Sequence, residues 1–536
     1  MIPRIHQRTR WISAISLAAL AGTGCSTDDR DAGVAEAAGV AAAQGGPARD
    51  SEPAAVPEDS RVQARRLVFA PCAEDPELEC APLSVPVDYA NPHGTQIALA
   101  TVRAPALAAH KRGVVFFNPG GPGGSGIDAL VALKSVFAPL RQSFDIVSFD
   151  PRGTGRSQPV DCTFELPASP ATDTLEATAA FDDEVGRRYA RACREQHGAL
   201  ATQIGTANVA RDMDVFRAAL GERELNYFGV SYGTILGASY ATLFPHRVRA
   251  MVLDGNVTPS WFGDYLLELD ADGSAGAELA LRRLDQRCRA AVDCALNTAG
   301  VVAVYDRVVE RLDRNPVVVD QGVITGGSVS DAVFPLLFSE LRGWPLIVRM
   351  LALADAGDYT ALSPRSSSAS VTEPSGLAVI CDDAATRRLG LDYLPAQTGN
   401  NAIYPRFGGA NLGIAITACS AWPPAHAAPV ANLETRNPVV LIGNDFDPAT
   451  PMAWSRNLAA ALGPKATLVR YQGGGHTAYL FGSGCVDRAV ESYLRDLTVP
   501  PAGLTCPAQP LAFEASLEAD ILSRVTPWIP RLPRRR

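Results

Sequence analysis

Basic charge, clustered metal-binding cysteines, nucleotide-binding fingerprints and long apolar runs are all scarce in this chain of 536 residues. Each absence excludes something. Lys and Arg number 48 against 57 Asp and Glu, a net charge of −9, so no basic footprint for nucleic acid exists. No C-x-x-C pair or Cys/His cluster occurs, which argues against a bound metal. The glycine-rich stretch Asn118-Pro-Gly-Gly-Pro-Gly-Gly-Ser-Gly126 has no Lys after it and the wrong spacing for a dinucleotide fingerprint. The apolar run Trp11 to Ala21 is too short to span a bilayer. Histidine occurs only seven times, so each copy near a strand end matters.

What is present begins with an export signal over 1–25. Arg4, Arg8 and Arg10 precede the apolar run, which ends at Gly22-Thr23-Gly24-Cys25. A Cys just past such a run resembles a bacterial lipoprotein signal, although Gly22 stands where Leu is usual, so membrane anchoring through a lipidated Cys25 is one expectation and a secreted chain is the other. Apart from Cys25 ten cysteines remain, falling as neighbours along the chain: Cys72/Cys80, Cys162/Cys193, Cys288/Cys294, Cys381/Cys419 and Cys485/Cys506. Export makes disulfides the natural reading, with neighbour pairing the simplest of many connectivities. Residues 26–60 are rich in Ala, Gly, Pro and acids and read as a tether.

From 61 the pattern turns apolar and alternates over Leu83 to Tyr89 and Ile97 to Val102, as strands do. Buried strands are expected at Arg112 to Phe117, Phe144 to Phe149, Leu225 to Phe228 and Arg249 to Leu253, with a helix at Thr206 to Leu220. The loops after these strands carry the chemistry. The first is the glycine stretch, which suits an oxyanion loop. The second starts Asp150-Pro-Arg152, read as a structural ion pair or loop brace. The third is Gly229-Val-Ser231-Tyr-Gly233, a G-x-S-x-G turn between strand and helix in which two glycines let a central Ser project. The fourth is Asp254-Gly255, where Asp254 reads as a brace for the cap or a substrate contact.

Sheet patterning then stops, and 259–429 reads as a mainly helical cap. Helical runs are expected at Glu278 to Cys288, at Val301 to Leu312 and over 327–356, the last with Phe334, Leu337, Phe338 and Leu341 on one face. Sheet patterning returns over 430–510. Pro438 to Ile442 leads to Asp445-Phe-Asp447, and Ala466 to Tyr471 leads to Gly-Gly-Gly-His476. Residues 511–536 form a Pro-rich, Arg-ended tail. A serine hydroxyl needs a base, and the base needs a carboxylate. Ser231, Asp447 and His476 occur in the order Ser, acid, His that α/β-hydrolases use, each after a strand. His246 and His426 follow no strand, and Asp445 reads as structural.

These motifs together resemble the tripeptidyl aminopeptidase and proline iminopeptidase branch of the α/β-hydrolase serine peptidases. The resemblance rests on Asn118-Pro-Gly-Gly-Pro-Gly-Gly, Asp150-Pro-Arg-Gly-Thr-Gly-Arg-Ser, Gly229-Val-Ser-Tyr-Gly, Asp447-Pro-Ala-Thr-Pro and Cys419-Ser-Ala-Trp-Pro. Asn118 stands where proline iminopeptidases usually have His, which sides with the secreted tripeptidyl type. The resemblance implies a mostly parallel sheet flanked by helices, with the cap inserted before the strand that carries the acid. It implies peptide substrates and no cofactor. Ser231 becomes the nucleophile, His476 the base, Asp447 its orienter, and the N–H groups of Gly121 and Tyr232 the oxyanion donors. A free α-ammonium would need an acid in the cap, with Glu268, Asp270, Glu340, Asp382 and Asp383 as candidates. Two other readings compete: a carboxylesterase or lactonase on the same fold, and a non-catalytic envelope lipoprotein. Epoxide and haloalkane hydrolysis are disfavoured, because those enzymes place Asp where Ser231 stands.

Overall fold

The computed structural model describes residues 65–513 except 169–173, 321, 363–373, 409–416, 424–429, 431, 480 and 482. The export segment, the tether, almost all of the tail, Cys25 and His426 lie outside the described residues.

Twelve strands are described: β1 (Ala70–Pro71), β2 (Glu79–Pro86), β3 (Gln96–Ala104), β4 (Val114–Asn118), β5 (Asp145–Phe149), β6 (Leu225–Val230), β7 (Val248–Asp254), β8 (Val317–Val319), β9 (Gly322–Ile324), β10 (Val439–Phe446), β11 (Ala466–Gly474) and β12 (Thr505–Cys506). Ten form one sheet in the order β1-β2-β3-β5-β4-β6-β7-β10-β11-β12. The first three are antiparallel, as their alternating patterns suggest, and β3 pairs antiparallel with β5. From β5 onward every pairing is parallel. Parallel strands covered by helices on both faces must be apolar throughout, which is why Val114–Asn118 and Leu225–Val230 are buried at every position. Alternate side chains feed two cores. Phe116, Tyr227 and Leu253 join one, while Val115, Phe117, Phe228 and Val252 join the other.

This parallel order puts the ends of β4, β5, β6, β7, β10 and β11 on one edge of the sheet, the side where open α/β sheets bind ligands. The helical insertion lies between β7 and β10. It contains Ser274–Arg289, Val301–Arg314, Gly326–Val333, Gly343–Asp355, Pro374–Asp383 and Gly390–Ile403, and has its own core around Leu281, Tyr305 and Trp344. The β8–β9 hairpin inside it is short and was not expected. The expected single face over 327–356 is also broken. The segment Phe334–Phe338 is a tight turn rather than α-helix, and Leu341 is exposed. Pro335 removes a helical donor, and Gly343 packs so closely that a Cβ there would lie 1.9 Å from the Leu336 carbonyl oxygen.

All ten cysteines pair with their sequence neighbours, as the simplest connectivity suggested. Five disulfides suit an extracytoplasmic protein. No helix among the described residues is long and apolar enough to cross a membrane.

Candidate active site

The turn after β6 is strained by design. Ser231 has φ 56° and ψ −126°, a conformation rare for a side-chain-bearing residue. Its N–H donates to the Asp254 carbonyl at 3.0 Å, and the helix Tyr232–Leu243 starts at once. A Cβ on Gly229 would lie 2.4 Å from the Gly233 carbonyl oxygen. One on Gly233 would lie 2.8 Å from the Asn118 carbonyl oxygen. Both glycines are therefore steric requirements, and Ser231 is left half-buried at the sheet edge.

The glycine loop packs directly on this turn. A Cβ on Gly120 would lie 2.4 Å from the Val230 carbonyl oxygen and 3.0 Å from Tyr232 N. The buried Asn118 side chain accepts from Gly120 N–H at 3.0 Å, so that donor is turned inward. The first-turn N–H of Tyr232, beside Gly120, has no intrahelical partner. The Tyr232 ring is fixed by Trp261, with centroids 5.0 Å apart, and by a hydroxyl contact of 2.8 Å with Thr206. Asp150 braces the far end of the loop, accepting from Ser125 Oγ at 2.6 Å and from Ile127 N–H at 3.1 Å. It does not pair with Arg152. Arg152 instead makes a fully buried two-pronged contact with Asp212, at 2.7 Å on each arm.

Asp447 and His476 come together although their loops follow different strands. Both carboxylate oxygens lie 3.0 Å from His476 Nδ1. An ionised carboxylate only accepts, so Nδ1 carries the proton and Nε2 keeps the lone pair. The carboxylate is itself held: Oδ1 accepts from Ala449 and Thr450 N–H at 2.8 and 2.9 Å, and Oδ2 from the Thr450 hydroxyl at 2.9 Å. Thr450 Oγ1 also lies 3.2 Å from His476 Nδ1. Burial works against the imidazolium, but the charge and hydrogen bond of Asp447, with Asp254 behind, leave the His476 pKa above its usual value. Asp445 is remote from this pair and forms a salt bridge with Arg470.

The histidine loop has further supports that sequence patterns did not indicate. His476 N–H donates to the Phe338 carbonyl at 2.9 Å, and the Phe338 ring stands edge-on to the imidazole with centroids 5.2 Å apart. Asn444 Nδ2 donates to the Gly475 carbonyl at 2.9 Å. Glu340 accepts from Gly474 N–H and pairs with Arg287. The insertion therefore grips the loop that carries His476. Asp254, read earlier as a cap brace or substrate contact, is turned under this loop instead, where it accepts from Ala478 and Tyr479 N–H.

The acidic candidates of the insertion are placed differently from one another. Asp383 accepts from Thr206 N–H at 2.8 Å, from the Thr206 hydroxyl and from Trp261 Nε1 at 2.6 Å. Both its oxygens thus already serve donors of the chain, and burial pushes its pKa up to about 7. Asp382 takes Gly205 N–H at 2.8 Å, so the two acids cap the helix Thr206–Ala219. Glu268 accepts from the Ser260 hydroxyl. Asp270 accepts from Asn400 Nδ2 at 2.6 Å, and its other oxygen is buried with no donor among the described residues.

Thr450 is the supporting residue with the sharpest expected signature. Thr450→Val removes its hydroxyl while keeping the backbone N–H on Asp447. The expected result is a kcat about 10-fold lower with KM unchanged, since a hydrogen bond to a charged acceptor is worth about 1.5–3 kcal/mol. Steady-state kinetics check it.

Comparison with known proteins agrees with this architecture. Residues 113–277 match the alpha/beta hydrolase fold, and 405–506 match the TAP-like protein family. The chain is 32% identical to tripeptidyl aminopeptidase of Streptomyces coelicolor, covering 80% of this chain and 85% of that one. It is 32% identical to serine protease Hip1 of Mycobacterium tuberculosis, over 82% and 90% of the two chains. It is also 33% identical to carboxylesterase B of the same species, over 85% and 91%. The chain therefore belongs to the α/β-hydrolase family of serine hydrolases with a TAP-like C-terminal region, the family of tripeptidyl aminopeptidase and Hip1.

Proposed function

We propose that the chain is an exported serine aminopeptidase, releasing short peptides of the dipeptide, tripeptide or proline-type kind from free N-termini. The observation that carries this reading is the Asp447–His476 pair, with Nδ1 at 3.0 Å from both oxygens, on the same sheet edge as a strained Ser231. Ser231 Oγ attacks the peptide carbonyl while His476 Nε2 takes its proton. The negative oxygen is met by the N–H groups of Tyr232 and Gly121. His476 then gives the proton to the leaving amine, and water repeats the cycle on the acyl-enzyme. Asp447 keeps the imidazole in the required tautomer throughout.

Recognition of a free α-ammonium calls for an anion, because a buried cation without one is costly. With Asp382, Asp383 and Glu340 engaged by backbone N–H groups, Glu268 and Asp270 remain, and Asp270 has the unpartnered buried oxygen. Export is supported by the five disulfides, and attachment through a lipidated Cys25 is part of the same proposal. The second reading is a carboxylesterase on the same site, favoured by the likeness to carboxylesterase B at 33% identity.

Peptidyl naphthylamides with free and with acylated N-termini, run beside simple esters, separate the two. The peptidase reading expects cleavage of the free-amine peptides and strong loss on acylation. Turnover of esters with no cleavage of any free-amine peptide would sink it.

A further inference from the structure

We propose that Asp254 is a positioning residue for the base, its side chain and carbonyl together setting where His476 stands relative to Ser231. The assignment rests on the triad reading. Asp254 is the last residue of β7 and is fully buried. Its carbonyl takes the Ser231 N–H at 3.0 Å. Its carboxylate points the other way, to the far side of His476. There Oδ2 accepts from Ala478 and Tyr479 N–H at 3.0 and 2.8 Å, and Oδ1 lies 3.2 Å from Ala478 N. One residue thus joins the nucleophile turn to the histidine loop.

The backbone around it is arranged for that contact. Thr477 has φ +73°, a left-handed conformation that a β-branched residue adopts only under constraint. The two N–H groups that follow it are those held by Asp254. Gly255, at φ +69°, leaves β7 so close to the imidazole that a Cβ would lie 3.1 Å from His476 Cε1.

A neutral acceptor could serve two N–H groups, so what distinguishes a carboxyl here is its electrostatic coupling to His476. No Lys or Arg among the described residues pairs with Asp254. The charged groups facing it are His476 and Asp447. Burial raises its pKa to about 7, against the lowering effect of the Tyr479 and Ala478 N–H groups and of His476, while Asp447 raises it. In return Asp254 helps raise the pKa of His476. When His476 takes the proton of Ser231, the imidazolium has Asp447 bonded to it and the Asp254 carboxyl close by, which favours the cation wherever Asp254 is ionised.

The test is the pH profile of a neutral ester, p-nitrophenyl acetate, with Asp254→Asn and Asp254→Ser in the full chain. Asp254→Ser keeps an acceptor in less volume and serves if the Asn variant does not fold. Expected is a kcat about 10- to 100-fold lower with KM within about twofold, as a slightly misplaced base produces. The acid limb of the profile moves to lower pH, because one of the two carboxyl groups that raise the His476 pKa is gone. A limb that stays at the wild-type pH overturns the assignment, since a merely structural brace would lower activity without moving it. Ser231→Ala keeps the two readings apart. Wild-type ester turnover in Ser231→Ala would overturn the triad and Asp254 with it. A dead Ser231→Ala beside an unmoved limb overturns only Asp254.

Discussion

Ser231→Ala is expected to lower kcat by about 10⁶, with KM little changed and a residue of about 10³–10⁴ over the uncatalysed rate. On the proposed mechanism the substitution removes the atom that forms the acyl bond and nothing that holds the fold. Ser231 N–H still reaches the Asp254 carbonyl, and φ near +56° is set by the flanking contacts of Gly229 and Gly233 rather than by the hydroxyl. The expected residue of activity is attributed to the proposed oxyanion donors and to binding, which the substitution leaves in place. Single-turnover kinetics on a good substrate distinguish this from slow product release, because the burst disappears along with steady-state turnover.

Asp447→Asn is expected to cost about 10⁴ in kcat while leaving melting behaviour close to wild type. The reason lies in how the carboxylate is held. Oδ1 is gripped by the N–H groups of Ala449 and Thr450 at 2.8 and 2.9 Å. In the amide, the oxygen must take that place, and the NH₂ group then occupies the position of Oδ2, facing Thr450 and His476. The NH₂ group donates to Nδ1 from that position, which favours the tautomer with Nδ1 as acceptor. The proton moves to Nε2, and the base has lost its lone pair. The loss also shows in the pH profile. Asp447 is the main group raising the His476 pKa against burial, so the acid limb of whatever activity remains lies at lower pH than in the wild type. Rate profiles for the two proteins on one substrate check both statements.

Much of the site is legible in the sequence because its chemistry restricts residue type and place together. A nucleophile turn needs small residues on either side of Ser231. A tautomer-fixing acid and a base need loops after parallel strands. The apolar runs that precede Asp150, Ser231, Asp254 and Asp447 declare those strands without any alternation. What is not legible depends on contacts between distant segments. Nothing local marks Phe338 as the residue whose carbonyl and ring meet His476, and the helical spacing of Phe334, Leu337 and Phe338 suggests a continuous face that Pro335 interrupts. Thr450 looks like an ordinary helix-start residue until Asp447 is seen between it and His476. The Asp382–Asp383 pair looks available for a cation, and its true partners are the backbone and side chains of Gly205, Thr206 and Trp261. Arg152 shows the same difficulty in miniature. Asp150 is its neighbour but one, yet its charge partner Asp212 comes from a separate helix.

The insertion has a mechanical consequence. Its Phe338 and Glu340 hold the histidine loop by main-chain contacts to His476 and Gly474. The insertion is thereby tied to the loop that carries the base.

Catalysis by this chain depends first on the nucleophile, and a fluorophosphonate probe tests the assignment of Ser231 in one step. The probe should add to the folded wild-type chain at a single residue, located by peptide mass spectrometry at Ser231, and should not label Ser231→Ala. Asp447→Asn should label far more slowly than wild type. A folded wild-type chain that takes up no probe, or takes it up at a serine other than Ser231, would contradict the account.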